Sequence, residues 1–143
     1  NRTFEETELP DSLGDHRKAL IDDFDGDTKL DIILLSVDGL HKFFSSAASS
    51  NLSSITLFGE QGLKAQALAT GDLDNDGDLD LVEGSETANA YYLNNGKGEF
   101  HRRVFEMEVA DTYGVALGDM NGDGLLDIVF ANSGAENLIL LAK

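Results

Sequence analysis

The chain has 143 residues, 41% of them hydrophobic, enough for one ordinary domain with a buried core. Its 27 acidic residues against 10 basic ones give a formal charge of −17, which repels phosphate backbones and anionic surfaces, so no nucleic-acid partner is expected. No apolar run approaches the roughly 18 residues that cross a bilayer, so no membrane insertion is expected, and the absence of cysteine removes disulfides and thiolate metal sites.

The chain opens at Asn1 with no signal peptide and reads as a mature or excised piece of a longer product. Its first segment, "NRTFEETEL", reads as a strand over residues 1–9. A short strand of small and β-prone residues at 19–21 leads into the acidic loop of residues 23–31. An apolar strand at 32–35 and a third strand at 42–44 follow, then a Ser/Ala-rich loop at 45–54 and a fourth strand at 54–58. The same order recurs: strand 68–70, acidic loop 72–80, strand 81–82, strand 91–93, the glycine turn "NNGKG", and strand 100–105. It begins a third time with strand 115–117, loop 119–127, strand 128–131 and strand 138–140. Two Asn-x-Ser/Thr sequons, at Asn1 and Asn51, read as chance occurrences.

Aligned on their first loop aspartates, Asp23, Asp72 and Asp119, the copies are 49 and 47 residues apart. That is the length of a four-stranded β-propeller blade, so the expected fold is all-β, with three blades of antiparallel strands over residues 1–143. The third copy lacks a fourth strand, and the missing piece lies at the other end. Phe4 precedes Asp23 by 19 residues, as Phe100 precedes Asp119. In that alignment "NRTFEETEL" falls on "KGEFHRRVF", which makes residues 1–9 a strand that completes the last blade. Three blades are too few to close a ring of four to eight. Either two chains exchange these strands to make a six-bladed, two-fold symmetric homodimer, or the chain is a fragment of a larger propeller.

Oxygen ligands on alternate loop positions, with a backbone carbonyl at position 7, are the chemistry of Ca²⁺, which takes six to eight hard oxygens at about 2.3–2.6 Å. The expected ligands of the first loop are Asp23, Asp25, Asp27, the carbonyl of Lys29, and Asp31. Those of the second are Asp72, Asp74, Asp76, the carbonyl of Asp78, and Asp80. Those of the third are Asp119, Asn121, Asp123, the carbonyl of Leu125, and Asp127, for up to three Ca²⁺ per chain. Position 6 calls for a left-handed backbone, which Gly77 and Gly124 accept freely. Thr28 stands there in the first loop at a cost of about 1–2 kcal/mol, so that site is expected to be the weakest or differently shaped. Glu83 also completes an EF-hand pattern from Asp72, but its counterparts in the other copies are Leu34 and Phe130, and strands rather than helices follow each loop. The closing carboxylate is therefore Asp80, and a dockerin-like pair is disfavoured because its loops lie much closer together.

The segments "DDFDGDTKLDIILLS", "GDLDNDGDLDLVEGS" and "GDMNGDGLLDIVFANSG", with Phe58-Gly59 between the first two, resemble the FG-GAP (VCBS-type) repeats of integrin α-subunit propellers and many bacterial surface proteins. The resemblance covers essentially the whole chain. It implies Ca²⁺ loops between the first and second strands of a blade, serving structure more than chemistry, and an extracellular or cell-surface location. Thr28 in place of glycine and the presence of only three repeats, against seven blades in integrins, depart from the family pattern.

Little else points to chemistry. His16, His41 and His101 occupy non-equivalent places and read as exposed turn or strand residues, and no phosphate-binding loop or nucleophile elbow occurs. Tyr92 reads as core, while Tyr91, its strand neighbour facing the other way, and Tyr113 are open to a surface role. Three functions stay in play: a non-catalytic, Ca²⁺-stabilised adhesion module with a protein ligand, a lectin with glycan sites at blade junctions, and a purely structural scaffold.

Overall fold

The computed structural model describes residues 2–46 and 54–143. The Ser/Ala-rich segment at 47–53 and the sequon residues Asn1 and Asn51 lie outside the described residues. Strands β1 (His16–Asp22), β2 (Asp31–Ser36), β3 (Leu40–Ser45) and β4 (Ser54–Gly59) form one antiparallel sheet in sequence order. Strands β5 (Ala65–Gly71), β6 (Asp80–Ser85), β7 (Ala90–Asn94) and β8 (Phe100–Val104) repeat it. The third sheet holds β9 (Asp111–Gly118), β10 (Asp127–Ser133) and β11 (Leu138–Leu140), with no fourth strand among the described residues.

Ten of the eleven strands contain or coincide with the segments expected from the sequence and β8 stops one residue short of 105, because period-2 alternation and turn residues are local signals. The expected strand over residues 1–9 is not formed: residues 2–15 make no strand, since an edge strand needs a neighbouring strand to pair with. The sheets are meanders with matching registers: Asp31 faces Asp22, Asp80 faces Gly71 and Asp127 faces Gly118 across each acidic loop. Each inner strand carries an irregularity at its outer end or middle, between His16 and Lys18, Ala65 and Ala67, and opposite Ala131 and Asn132. Gly59, in the Phe-Gly pair, has φ 98°, and a Cβ there would stand 2.2 Å from the Gly39 carbonyl oxygen. Only glycine fits that approach of the two strand ends.

Two apolar layers hold the three sheets together. The first, between sheets one and two, contains Phe24, Ile33, Leu35, Phe43, Phe58 and Leu81, and Phe100 packs against it. The second, between sheets two and three, contains Val82, Ile128 and Phe130, with Leu73, Tyr91 and Phe105 packed around it. Strand β6 serves both. Leu81 belongs to one layer and Val82 to the other, so all six of its residues are buried, the pattern of a strand covered on both faces. Strands β2 and β10 alternate more, because each has a neighbouring sheet on one face only. Tyr92 and Tyr91 part in the same way, into the first and second layers.

A buried polar cluster crosses the first layer. His41, expected as an exposed residue, is instead fully buried on β3. Its Nδ1 accepts the amide of Ser36 (3.2 Å), which leaves the Nε2 proton to donate to Glu83 Oε2 at 2.6 Å. The hydroxyl of Tyr92 donates to the same oxygen at 2.8 Å. In the other sheets the equivalent amides, of Ser85 and Asn132, are capped by the side-chain oxygens of Asn89 and Asn137. His41 thus takes the place of an asparagine while its longer ring also reaches the next sheet. Burial, then the adjacent Glu83 carboxylate, pushes the Tyr92 hydroxyl far above its usual pKa and keeps it a donor. His16 is half-buried, bonded to the Ser12 carbonyl (2.9 Å) and the Ser36 hydroxyl (3.0 Å), while His101 is exposed on β8 as expected.

Candidate metal centres

Each acidic loop joins the first strand of a sheet to the second, and backbone amides shape it. The position 1 carboxylate reaches forward to the position 6 amide: Asp23 Oδ2 to Thr28 (2.8 Å), Asp72 Oδ2 to Gly77 (3.0 Å), Asp119 Oδ2 to Gly124 (2.9 Å). The position 5 carboxylate accepts the position 7 amide at 2.9 Å in Asp27, Asp76 and Asp123. These reach-forward bonds wind the loop so that alternate side chains point to one centre. Position 6 is left-handed in all three loops, Thr28 included at φ 70°. Position 4 is left-handed as well, at Gly26, Asn75 and Gly122. That second requirement was not expected from the sequence; its signal is the Gly/Asn/Gly choice, the residues that adopt positive φ most readily.

The position 9 aspartates differ from the others. Asp31, Asp80 and Asp127 are fully buried. One oxygen of each accepts the amide of the second loop residue: Phe24 (3.0 Å), Leu73 (2.8 Å) and Met120 (2.8 Å). The other accepts an amide at the end of the third strand or just beyond it: Ser46 (2.9 Å), Asn94 (2.8 Å) and Ala142 (2.9 Å). Each carboxylate therefore staples the loop to two strands before any ion is considered. Burial raises the carboxyl pKa of Asp31 and Asp80, against the lowering effect of these amides.

Carboxylate oxygens converge in two of the loops. Asp23, Asp25 and Asp27 form one group and Asp72, Asp74 and Asp80 another, each offering one atom within 4.8 Å of the rest. Two oxygens bound to one Ca²⁺ at about 2.4 Å cannot lie farther apart than that. The first loop gathers Asp27 and leaves Asp31 out of the group, and the second gathers Asp80 and leaves Asp76 out. Lys29 also places its ammonium 2.9 Å from Asp27 Oδ2, and this hydrogen bond leads the lowering of that half-buried carboxyl's pKa. Asp23 Oδ1 and Asp72 Oδ1, at the same loop position, are buried without a hydrogen-bond partner.

The third loop is arranged otherwise. Asp119 Oδ1 turns onto the amides of Gly122 (2.7 Å) and Asp123 (3.1 Å). Asn121 donates its Nδ2 to Asp123 Oδ2 at 2.8 Å. Backbone amides, that of Gly124 first, hold the exposed Asp119 carboxyl below its usual pKa. Of the position 7 residues, Asp78 is half-buried beside the "NNGKG" turn, where a Cβ on Gly96 would meet its carboxylate at 2.5 Å.

The FG-GAP-like repeat profile matches residues 23–83 and 72–130, two overlapping spans that each run from one acidic loop through the next. The chain belongs to the FG-GAP-like repeat family. Its FG-GAP-like repeats are the antiparallel blade-like sheets described above, with the acidic loop as their shared landmark. No curated protein matches the chain significantly.

Proposed function

We propose that this protein is a non-catalytic, Ca²⁺-stabilised β-propeller module of the adhesion type, whose ions pin the turn between the first two strands of each blade. The observation that carries the reading is the pair Asp23 Oδ1 and Asp72 Oδ1. Each is a buried carboxylate oxygen with no partner, at the same position of two loops where further carboxylates converge. Leaving such an oxygen unsatisfied costs about 1–3 kcal/mol or more when charged, and a bound cation removes that cost. The donors are all hard oxygens, which suits Ca²⁺ over softer metals.

The residues that would hold the ions are those of the alternating pattern. In the first loop they are Asp23, Asp25 and Asp27 with the Lys29 carbonyl and Asp31; in the second, Asp72, Asp74, Asp76 and Asp80 with the Asp78 carbonyl. In the third, Asp119, Asn121, Asp123 and Asp127 with the Leu125 carbonyl would bind last, because Asp119 is already satisfied by amides and Asn121 is neutral. Bound Ca²⁺ would supply charge neutralisation and rigidity at these turns. Scaffold and adhesion roles both follow from that, and an extracellular or surface setting, where Ca²⁺ is abundant, agrees with the family. A lectin reading loses support: Tyr92 is in the core and Tyr91 stacks on Phe105 at 5.0 Å. Only Tyr113 among the three tyrosines is exposed, with no counterpart in the other sheets.

Thermal unfolding with Ca²⁺ and with a chelator tests the metal. Ligation confined to the folded state stabilises each site by about 4 kcal/mol at a thousandfold excess over Kd. The melting temperature is expected to fall on chelation and to recover on adding Ca²⁺. An unchanged melting temperature would sink the reading.

A further inference from the structure

An open, largely apolar groove of about 700 Å³ lies between the second and third sheets, with Asp74, Arg103 and Glu106 among its lining residues. From the second sheet's side it is lined by Leu73, Tyr91 and Phe105. From the third sheet's side it is lined by Leu126, Ile128 and Ala142. One sheet earlier, the same space is filled. There Phe100, at the start of β8, packs edge-on or tilted against Phe24 (6.3 Å), Phe43 (5.8 Å) and Phe58 (4.6 Å). Those three rings occupy the repeat positions of Leu73, Tyr91 and Phe105, as the pairing partners Ile33–Phe43 and Val82–Tyr91 show. On the other wall, Leu79, Leu81 and Asn94 are the counterparts of Leu126, Ile128 and Ala142. These six of the eleven lining residues thus match the surroundings of one phenylalanine, and no fourth strand among the described residues brings one.

The occupant is identified by register. Asn94 pairs with Phe100 across β7 and β8, so the same register sets opposite Ala142 the residue that stands 19 positions before a loop aspartate. Phe4 is that residue. It is 94% exposed, in a segment over residues 2–15 that makes no strand. The segment's anchor decides which copy it serves. Lys42 donates its ammonium to the carbonyls of Asp11 and Leu13, each at 2.8 Å. Lys42 alternates on β3 with His41 and Phe43, which face the second sheet, so the anchor lies on the first sheet's outer face. The whole second sheet stands between that face and the groove. The uncovered faces are also the right ones to meet: Ile21 on β1 is 62% exposed, and Ile139 on β11, which alternates with the inward-packed Leu138 and Leu140, is 53% exposed.

We propose that the groove receives the N-terminal segment of a second copy of this chain, with Phe4 between Tyr91 and Ile128 and residues 4–8 added as the fourth strand beside β11. The exchange is reciprocal. It covers the outer face of each first sheet with the partner's third sheet and closes six sheets into a two-fold ring, within the usual four to eight. It also removes the free edge of β11, which would otherwise invite open-ended pairing. It does not require the metal reading, although Leu73, Asp74 and Leu126 of the acidic loops line the groove, because the register comes from the pairing of β7 with β8 and the occupant is an apolar side chain.

Light scattering in Ca²⁺ at micromolar concentration reads the assembly directly. The expected mass is about 31 kDa, twice the 15.4 kDa chain, and Phe4→Asp is expected to give a folded monomer. Because the protein has no cysteine, the pair Phe4→Cys and Ala142→Cys tests the register in an otherwise intact chain. Paired strand residues lie within disulfide range, so oxidation should give a covalent dimer that neither single variant gives. A wild-type monomer, larger open-ended species, a dimer indifferent to Phe4→Asp, or a disulfide closed within one chain would each overturn the proposal. Failure of the metal reading would show separately, as a melting temperature indifferent to chelator in a chain of unchanged size.

Discussion

Thr28 holds a left-handed backbone that its β-branched side chain resists, where the sister loops use Gly77 and Gly124. Its amide bond to Asp23 keeps it there. Thr28→Gly relieves about 1–2 kcal/mol of strain and returns part of it through the freer unfolded chain. The denaturant midpoint is expected to rise by the equivalent of about 0.5–1 kcal/mol; a lower midpoint would show that the loop bears no strain. Asp80 and Asp74 separate two roles that the alternating aspartates share in sequence. Asp80→Ala removes the acceptor of two amides, those of Leu73 and Asn94. It should cost about 2–4 kcal/mol even in chelator, since each buried donor left unpaired costs about 1–3 kcal/mol. Asp74 is exposed. Asp74→Asn should leave stability in chelator within about 0.5 kcal/mol and weaken only the Ca²⁺-dependent part, as calorimetry and melting in parallel would show.

The element scale is governed by what joins one sheet to the next. Glu83 sits on β6 with one oxygen holding both His41 and Tyr92, and its other oxygen, Oε1, is buried without a partner. Glu83→Ala strands an imidazole and a phenol in the core beside a cavity, so a loss of about 3–5 kcal/mol is expected in urea unfolding. Ca²⁺ affinity of the second loop should not change. A large change in affinity would restore Glu83 as the twelfth-position ligand of an EF-hand, which its contacts argue against. The strands themselves were legible because alternation, turn glycines and the repeat all act within a few residues. The partners of Glu83 were not, because His41 lies 42 residues away and on another sheet.

For the whole molecule, the charge of −17 sets the response to pH. Burial raises the folded-state carboxyl pKa of Asp31 and Asp80 above the ordinary 3.8. Without metal, these two groups take up protons more readily folded than unfolded, so their contribution favours the fold as pH falls through their raised values toward 3.8. Bound Ca²⁺ reverses the sign, because it favours the ionised form. The stabilisation produced by Ca²⁺ should therefore be full at neutral pH and disappear as pH falls into that window. Melting curves at a series of pH values, with and without chelator, would measure it; a Ca²⁺ effect undiminished at pH 3 would count against carboxylate ligation.

The residues alone determined the three-fold repeat, the order and kind of the eleven strands, the left-handed sixth position of each loop, and the aspartates on alternate positions. All of these are written within a dozen residues by steric limits, alternation and reach-forward hydrogen bonds. The tertiary structure decided which carboxylates meet in the first two loops and that the ninth-position aspartates are staples already satisfied by amides. It also buried His41 against Glu83, and left an open groove between the second and third sheets while Phe4 stands in solvent. These depend on how one sheet is placed against the next, and the side chains that fix that placement lie about one repeat apart along the chain.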